Sequence, residues 1–300
     1  MHSVPRLSLA LVIGIGVIAV QPAARLMASP VEGAGQSASR ATLKTVAATA
    51  PDIPINSYEP RAEDELLTLA NQARQQAGAP ALKMDAGLSK AARIHAQAML
   101  EARQLSHQFD GEPSLPKRLA ATTLLQLDQE GENVALDYDA QHGHEHLMLS
   151  PPHRANLLNP AYNVVGLGVV RSGDRLYIVQ DFGHALPNYS PAEVKERVAG
   201  AVNLQRHQAG EPDLQRHDLA TADDAACSMA QADKLGTAPV RKLAAGFTVL
   251  TYTSLRPELL PAGAAHAIGS HNLKSVSIGA CYGRTDTYPT GVYWVVLSLE

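Results

Sequence analysis

The spacing of apolar residues changes along the chain from a helical period to short alternating runs. The helical period predicts four helical segments, which cover Glu63 to Gln76, about Asp85 to Arg103, Leu115 to Leu127 and roughly His144 to Leu149. Two strands are predicted after them, from Val164 to Val170 and from Leu176 to Phe182, joined by a turn at Ser172-Gly173-Asp174. Helices followed by a hairpin indicate α+β layers rather than a parallel βαβ sheet.

A second region repeats part of this pattern at identical spacing. The motif is Asn71-x-x-Arg74-x-x-Ala77-Gly78-x-Pro80-x-Leu82, and it recurs as Asn203-x-x-Arg206-x-x-Ala209-Gly210-x-Pro212-x-Leu214. The segments Ser277 to Tyr282 and Tyr293 to Leu299 are predicted to be the closing strands of this second region. Residues present in both regions should serve the fold, so Asn71 and Arg74 are interpreted as structural.

The N-terminus predicts export. Arg6 precedes an apolar run from Leu7 to Val20, which is shorter than the roughly 20 apolar residues that span a bilayer. We expect a signal peptide, or an uncleaved anchor, over residues 1–28, with an imperfect cleavage site at Leu26-Met27-Ala28. Membrane contact is expected only through this segment, if it is retained. Residues 29–57 are rich in Ala, Ser, Thr, Gly and Val and are predicted to be a flexible linker. The expected location is secreted or periplasmic.

Composition narrows the function classes only slightly. The net charge of −4 gives no indication of nucleic-acid binding. Trp294 is the only Trp, which argues against a surface on which sugars stack. The two cysteines, Cys227 and Cys281, suit an oxidising compartment, where we expect them to form a disulfide; the alternative is two buried thiols.

Three short polar motifs carry the candidate chemistry. They are Ser106-His107, Gly131-Glu132-Asn133 and Ser150-Pro151-Pro152-His153-Arg154-Ala155-Asn156. All three are missing from the second region, which makes them candidates for function rather than for folding. His95, on the apolar stripe of its helix, is interpreted as a core histidine, and His142 and His146 as a solvated start of a helix. Asn133 and Arg154 are interpreted as structural capping or buried hydrogen-bonding residues.

Several motifs, taken in order, resemble the CAP superfamily, which includes cysteine-rich secretory, antigen 5 and pathogenesis-related 1 proteins; the bacterial secreted branch is the most similar. They are Asn71-x-x-Arg74, Leu82, His95-Ala96, Ser106-His107, Gly131-Glu132-Asn133-Val134-Ala135, Ser150-Pro151-x-His153-Arg154-Ala155-Asn156-Leu157-Leu158, Val165-Gly166-x-Gly168 and Val179-Gln180-Asp181-Phe182. The resemblance implies an α-β-α sandwich over residues 58–188, followed by a smaller, degenerate CAP-like copy over 189–300.

The same resemblance implies a ligand-binding cleft lined by His107, Glu132 and His153. Glu145 is the nearest candidate for a further acidic residue of the eukaryotic members, and Leu147 stands where the family usually carries Trp. His107 and His153 are also candidate ligands for Zn²⁺ or another divalent metal, although a catalytic zinc site normally has three protein ligands. In a structural alternative, these side chains satisfy loops and backbone groups and bind nothing.

Three functions remain open at this point. The first is an exported binding module for a small molecule, such as a lipid or a cell-wall fragment, or for an envelope protein partner. The second is a peptidase-like hydrolase, if the protein is an enzyme, with His107, Glu132 and His153 acting on water. The third is an envelope scaffold with an unused cleft. The first region contains no Cys, which excludes a cysteine nucleophile there.

Overall fold

A computed structural model describes residues 58–236, 239–240 and 248–300. The predicted signal segment and linker, residues 1–57, lie outside this range. Within it, no helix has both the length and the apolar character needed to cross a membrane. The helices are α1 Pro60–Gln76, α2 Ala86–Ala102, α3 Leu115–Ala120, α4 Ala140–Leu149, α5 Pro151–Leu158, α6 Pro191–Gln208, α7 Ala220–Gln231 and α8 Ala264–Ile268. The strands are β1 Lys83–Met84, β2 Leu127–Asp137, β3 Val164–Ser172, β4 Arg175–Ala185, β5 Gln215–His217, β6 Thr248–Ser254, β7 Ser275–Gly283 and β8 Val292–Leu299.

The elements α1 to β4 form one layered body, here called the N-terminal unit. Its sheet has the order β1-β3-β4-β2, in which β1 pairs parallel to β3 and the other pairs are antiparallel. One face packs against α1, α4 and α5, with Ile178 and Phe182 in that core. The opposite face packs against α2, with Tyr177 and Val179. This is the α-β-α sandwich that the resemblance implies.

The elements α6 to β8 form a second layered body, here called the C-terminal unit. Its sheet order is β5-β7-β8-β6, with the same parallel first pair and the same antiparallel pairs. The helices α6 and α8 cover one face, and α7 covers the other, where Trp294 is buried. The predicted closing strands are confirmed as β7 and β8.

Cys227 of α7 and Cys281 of β7 form a disulfide with Cα atoms 5.0 Å apart, as expected. The bridge ties the helix to the sheet, and it closes a loop with a sequence separation of 54 residues. In the chain-entropy model, a loop of this length contributes about 4 kcal/mol to stability.

An arginine at the end of the first helix of each unit explains why that motif occurs twice. The buried Arg74 donates to the carbonyl oxygens of Pro80, Leu157, Asn159 and Tyr162, at 2.7 to 3.0 Å. Arg206 donates in the same way to the carbonyl oxygens of Pro212, Ile268 and Ser270. The structural interpretation of Arg74 is confirmed, since the guanidinium satisfies carbonyls that would otherwise be buried without donors. Asn71 is likewise structural, because it exchanges two hydrogen bonds with the backbone of Leu82.

The sequence prediction was wrong for the extent of one helix and missed two elements, β2 and α5. The segment Leu115 to Leu127 is helical only to Ala120, and Leu127 already belongs to the edge strand β2. That strand was not predicted, because its N-terminal half is Leu-Asp-Gln-Glu-Gly-Glu, which lacks the alternation of a half-buried strand. The helix α5, which carries His153, was also not predicted as a separate element; it has Pro in its first turn, where the missing N–H costs nothing.

Candidate functional site

Glu132 is held at the edge of the N-terminal sheet. It lies in β2, a strand at the edge of the sheet, and the residue is only 7% exposed. Side chains alternate along a strand, so Glu132 faces the same side as Val134, which packs in the α2 core. The carboxylate is therefore presented to the loop that follows α2.

His107 reaches Glu132 from that loop. The helix α2 ends with Arg103 in the left-handed region, at φ 51°, which turns the chain toward the sheet edge. Nδ1 of His107 lies 2.9 Å from Oε1 of Glu132, while 58% of the imidazole side chain remains exposed. The hydrogen bond to Glu132 raises the pKa of His107 above its ordinary value, although burial acts in the opposite direction.

His153 completes the group that the resemblance implies. It lies in α5, and the centroid of its ring is 6.5 Å from that of His107. Its pKa is lowered, first by burial and second by the charge of His107. The two pKa values are therefore shifted in opposite directions, so that at a pH between them His107 is protonated while His153 is neutral.

Asn133 and Asn156 fix α5 against β2. Nδ2 of Asn133 donates to the carbonyl oxygen of His153 at 3.0 Å, and Nδ2 of Asn156 donates to the carbonyl oxygen of Glu132 at 3.1 Å. These bonds confirm the structural interpretation of Asn133. The same interpretation of Arg154 was wrong, because this side chain is exposed on the outer face of α5.

Arg118 is the central residue that sequence reasoning missed. Its side chain is only 7% exposed, and Nη2 donates to Oε2 of Glu132 while Nη1 donates to Oε1 of Glu112 at 3.0 Å. It lies in the short helix α3, whose pattern is too brief to show a buried face. The guanidinium neutralises two carboxylates that would otherwise be costly to bury.

His95 is a fully buried histidine, as expected, but it belongs to this polar network and is more than a packing residue. Its Nδ1 is 2.7 Å from Oε1 of Glu112, and its Nε2 is 2.7 Å from the carbonyl oxygen of Ser106. It therefore anchors the residue that precedes His107. Glu112, also missed from the sequence, accepts the backbone N–H of Phe109 at 2.9 Å and so closes the loop on itself.

Asp181 is the third missed residue. It lies in β4 directly opposite Glu132, is 1% exposed, and its Oδ1 has no hydrogen-bond partner within the described residues. Burial, followed by the negative charge of Glu132, raises the pKa of Asp181 well above its ordinary value. A sequence signal was available, because an acidic residue in the apolar run from Leu176 to Phe182 requires a buried partner.

Glu145, the predicted fourth cleft residue, is not joined to this group. It is exposed on α4 and accepts a hydrogen bond from Nε2 of Gln141 at 2.6 Å. In the described part of the chain, no hydrogen bond or ion pair connects it to His107, Glu132 or His153. On the same helix, His142 and His146 are exposed, and each imidazole contacts a carboxylate, of Asp139 at 2.9 Å and of Asp137 at 2.6 Å.

The residues of the cleft fit a divalent metal poorly. Bonding of Nδ1 of His107 to Glu132 leaves Nε2 free in the way that metal-binding histidines are braced. However, across residues 58–236, 239–240 and 248–300, no group of three or more His, Cys, Asp or Glu side chains is arranged to hold an ion. Two imidazoles alone fall short of the usual set of protein ligands for zinc.

The C-terminal unit has no counterpart of this network at the same register. In the N-terminal sheet Glu132 pairs with Asp181; in the C-terminal sheet the equivalent pair is Val249 with Ser298. The equivalence follows from Gly168 and Gly279, which pair with Val179 and Val296, two residues before Asp181 and Ser298.

The helices α2 and α7, which pack on the two sheets, also differ in a polar residue of the network. Gly168 lies so close to the backbone of Ala92 that no Cβ would fit, and Gly279 lies in the same way against Ala222. Three residues further along each helix are His95 and Ala225. Ala225, and not a residue nearer Cys227, is therefore the counterpart of His95.

Comparison with known proteins supports the fold assignment. Residues 67–182 match the family model CAP, described as the cysteine-rich secretory protein family. The protein YkwD of Bacillus subtilis (strain 168) is 31% identical over 134 residues, which are 43% of this chain and 49% of that protein. The chain thus spans about half the length of this curated relative.

Two solved bacterial structures are also similar. An extracellular protein containing a SCP domain, from Bacillus anthracis str. Ames, is 26% identical with a TM-score of 0.38, and the match covers 45% of each chain. A cysteine-rich secretory protein from Staphylococcus aureus subsp. aureus Mu50 is 21% identical with a TM-score of 0.34, over 44% of this chain and 40% of that one.

Proposed function

Residues 67–182 of this chain belong to the CAP family of cysteine-rich secretory proteins, and we propose on that basis an exported binding protein whose cleft takes up a small ligand. The cleft is lined by His107, Glu132 and His153. In the proposed organisation, residues 1–28 direct export, 29–57 are a linker, 58–188 form the binding module, and 189–300 form a degenerate copy that arose by duplication.

The observation that carries the proposal is the exposed imidazole of His107 braced from behind by a buried carboxylate. Nδ1 of this imidazole is bonded to Glu132, whereas 58% of the side chain is open to solvent, where a ligand can reach it beside His153. Neighbouring His153 has a lowered pKa, so at a pH between the two pKa values it offers a neutral nitrogen beside the protonated imidazole of His107. This pair suits a ligand with a hydrogen-bond-accepting head group, such as a lipid phosphate or a carboxylate of a cell-wall fragment.

The arrangement favours binding over hydrolysis. A general base needs an oxygen that is free to accept a proton from water. Both oxygens of Glu132 are already engaged, Oε1 with His107 and Oε2 with Arg118. A carboxylate held in this way orients an imidazole well, and its two bonds reduce its capacity to take a proton from water.

Native mass spectrometry of the protein purified from its own cell envelope tests the proposal. We expect a co-purifying small molecule on the wild type that is lost from the double variant His107→Ala/His153→Ala. Val249→Ala, at the register position of Glu132 in the C-terminal unit, is the matched control and should retain it. Equal retention by all three proteins, or none on the wild type, would contradict a ligand in this cleft. A parallel calorimetric titration with Zn²⁺ on the wild type and the double variant decides whether the imidazoles hold an ion instead.

A further inference from the structure

Three carboxyl groups and one guanidinium share the buried space behind His107. Glu112 and Glu132 each have a hydrogen bond from Arg118, and Glu112 also accepts the N–H of Phe109. Burial raises the pKa of Glu112, but the bonds from Phe109, Arg118 and His95 outweigh it, and the net shift is downward. Glu112 is therefore stabilised as a carboxylate, and Glu132 is bonded to the same guanidinium.

Asp181 has no such cation. Its carboxyl group lies directly opposite Glu132 in the β2–β4 register and is buried, and Oδ1 has no hydrogen-bond partner among the described residues, whereas Arg118 is bonded to the other two carboxyl groups. Directly opposite residues of an antiparallel pair have Cβ atoms about 5 Å apart, a distance at which two buried negative charges repel strongly. One of the two carboxyl groups must keep a proton, and it is the one without the guanidinium.

We propose that Asp181 is a positioning residue of the cleft, which remains a neutral carboxylic acid near neutral pH and donates its proton as a hydrogen bond to Glu132. The carboxylate of Glu132 is thereby fixed on three sides, by Asp181, Arg118 and His107. The inference concerns the protein alone and does not depend on which ligand the cleft binds.

The C-terminal unit supports a role beyond folding. There the same two register positions are filled by Val249 and Ser298, and the sheet forms with the same strand order. A sandwich of this kind therefore does not require a carboxyl pair at this place. In the N-terminal unit the pair lies next to the exposed imidazole of His107.

The pH dependence follows from the direction of the shift. The unfolded chain loses the proton of Asp181 near its ordinary pKa of 3.8, whereas the folded chain keeps it to a higher pH. As pH rises above 3.8, ionisation therefore increasingly favours the unfolded state, until the folded carboxyl group also titrates. Asp181→Asn, which copies the neutral acid, removes this penalty.

The experiment compares the wild type with Asp181→Asn and Asp181→Ala, and with Ser298→Ala as the matched control in the C-terminal unit. Titration of the His107 imidazole is followed by NMR, and thermal unfolding is measured across the pH range. For Asp181→Asn we expect an unchanged His107 titration and a Tm that rises above that of the wild type by about 3 °C at neutral pH, with no gain at pH 3. For Asp181→Ala the His107 midpoint should fall by about one pH unit, because Glu132 loses its third support. Ser298→Ala should leave the His107 titration unchanged.

The opposite result would overturn the inference. If Asp181 were ionised, Asp181→Asn would remove a nearby negative charge and lower the His107 midpoint. An infrared spectrum gives a second measurement, which needs only the wild type and therefore does not depend on whether a variant folds. The wild type at neutral pH should show the carbonyl band of a buried protonated carboxylic acid, and the absence of that band would also exclude the shared proton. A cleft that binds no ligand would leave both measurements unchanged, so the two proposals fail separately.

Discussion

The N-terminal and C-terminal units have the same strand order and the same pairing directions. They differ in the residues that lie between the sheet and the helix covering one of its faces, which is α2 in the first unit and α7 in the second. In the N-terminal unit this space holds His95, Glu132 and Asp181, whereas the C-terminal unit has Ala225, Val249 and Ser298 at the same places. The difference shows that the layers and the sheet register depend on apolar packing. The charges are an addition to one unit, where they lie behind the exposed imidazole of His107.

What the two units share is equally informative. Both keep an arginine that satisfies backbone carbonyls, and both keep a glycine where helix and strand approach closely. Those features are geometric requirements of the sandwich, so they are expected wherever the fold occurs.

The largest effect is expected from the shared arginines. Arg74→Ala leaves three carbonyl oxygens without a donor and Arg206→Ala leaves two, because Asn159 and Ser270 each also accept a backbone N–H. Each unsatisfied group costs about 1–3 kcal/mol, so we expect a loss of about 4 kcal/mol or more for Arg74→Ala and a somewhat smaller loss for Arg206→Ala. Urea unfolding can separate the units, because Trp294 fluorescence reports on the C-terminal unit and circular dichroism on both. Lys at either position should not restore stability, since it lacks the planar fork of donors; full rescue by Lys would contradict the assigned role.

The disulfide should have the next largest effect, and only in the C-terminal unit. The variant Cys227→Ala/Cys281→Ala is expected to lose about 4 kcal/mol, because the unfolded chain regains the entropy of an open loop. Trp294 lies opposite Cys281 in the β7–β8 register, so its fluorescence follows this unit directly. The His107 titration of the same variant is the control and should not change. A shift there would show that the two units are coupled more tightly than the comparison implies.

A smaller effect is expected from Glu132→Gln. The neutral amide keeps the shape but removes a charged partner from the buried Arg118, at a cost of about 2 kcal/mol. The exposed Glu145→Gln is the matched control, and its effect should stay within about 0.5 kcal/mol. Denaturant midpoints of the two variants provide the test. Equal stability of both variants would mean that the carboxylate of Glu132 contributes nothing to the folded state.

The smallest effect is a difference in titration between two neighbouring imidazoles. We expect His107 to titrate above 6.5 and His153 below it, and Glu132→Gln should lower the His107 midpoint. Because the pKa of His107 is raised in the folded state, the stability it contributes is present below pH 6.5 and is lost as pH rises through the folded value. His153, with its lowered pKa, instead costs stability as pH falls below 6.5. NMR titration of the ring protons measures both, and a reversed order of midpoints would contradict the geometry.

The helices and the closing hairpins could be predicted because their signals are local. The predicted segments Glu63 to Gln76 and Asp85 to Arg103 agree with α1 and α2 to within a few residues. The strand β2 could not be predicted in the same way, since it lies at the edge of the sheet and carries the charged residues of the cleft. A strand whose polar residues are satisfied by distant partners has no apolar alternation to detect.

The residues of the candidate site were likewise predictable only where a local motif marked them. The order of short motifs pointed to His107, Glu132 and His153, and the structure brings their side chains together. Arg118 and Asp181 were missed, because one lies in a brief helix and the other in an apolar strand, and neither belongs to a motif with its partners. Glu145 was named as a cleft residue, yet it faces solvent beside Gln141.

The amino-acid sequence by itself determined the α+β layering, the pairing of Cys227 with Cys281, and the structural role of Arg74, since each depends on periodicity, composition or a repeated motif. Only the tertiary structure decided which carboxyl groups share one guanidinium and which imidazole remains open. The reason is physical: the ionisation of a buried group is set by the charges, donors and burial within a few ångströms of it. Here those neighbours come from α2, α3, β2 and β4, which are far apart along the chain and meet only when the sheet has formed.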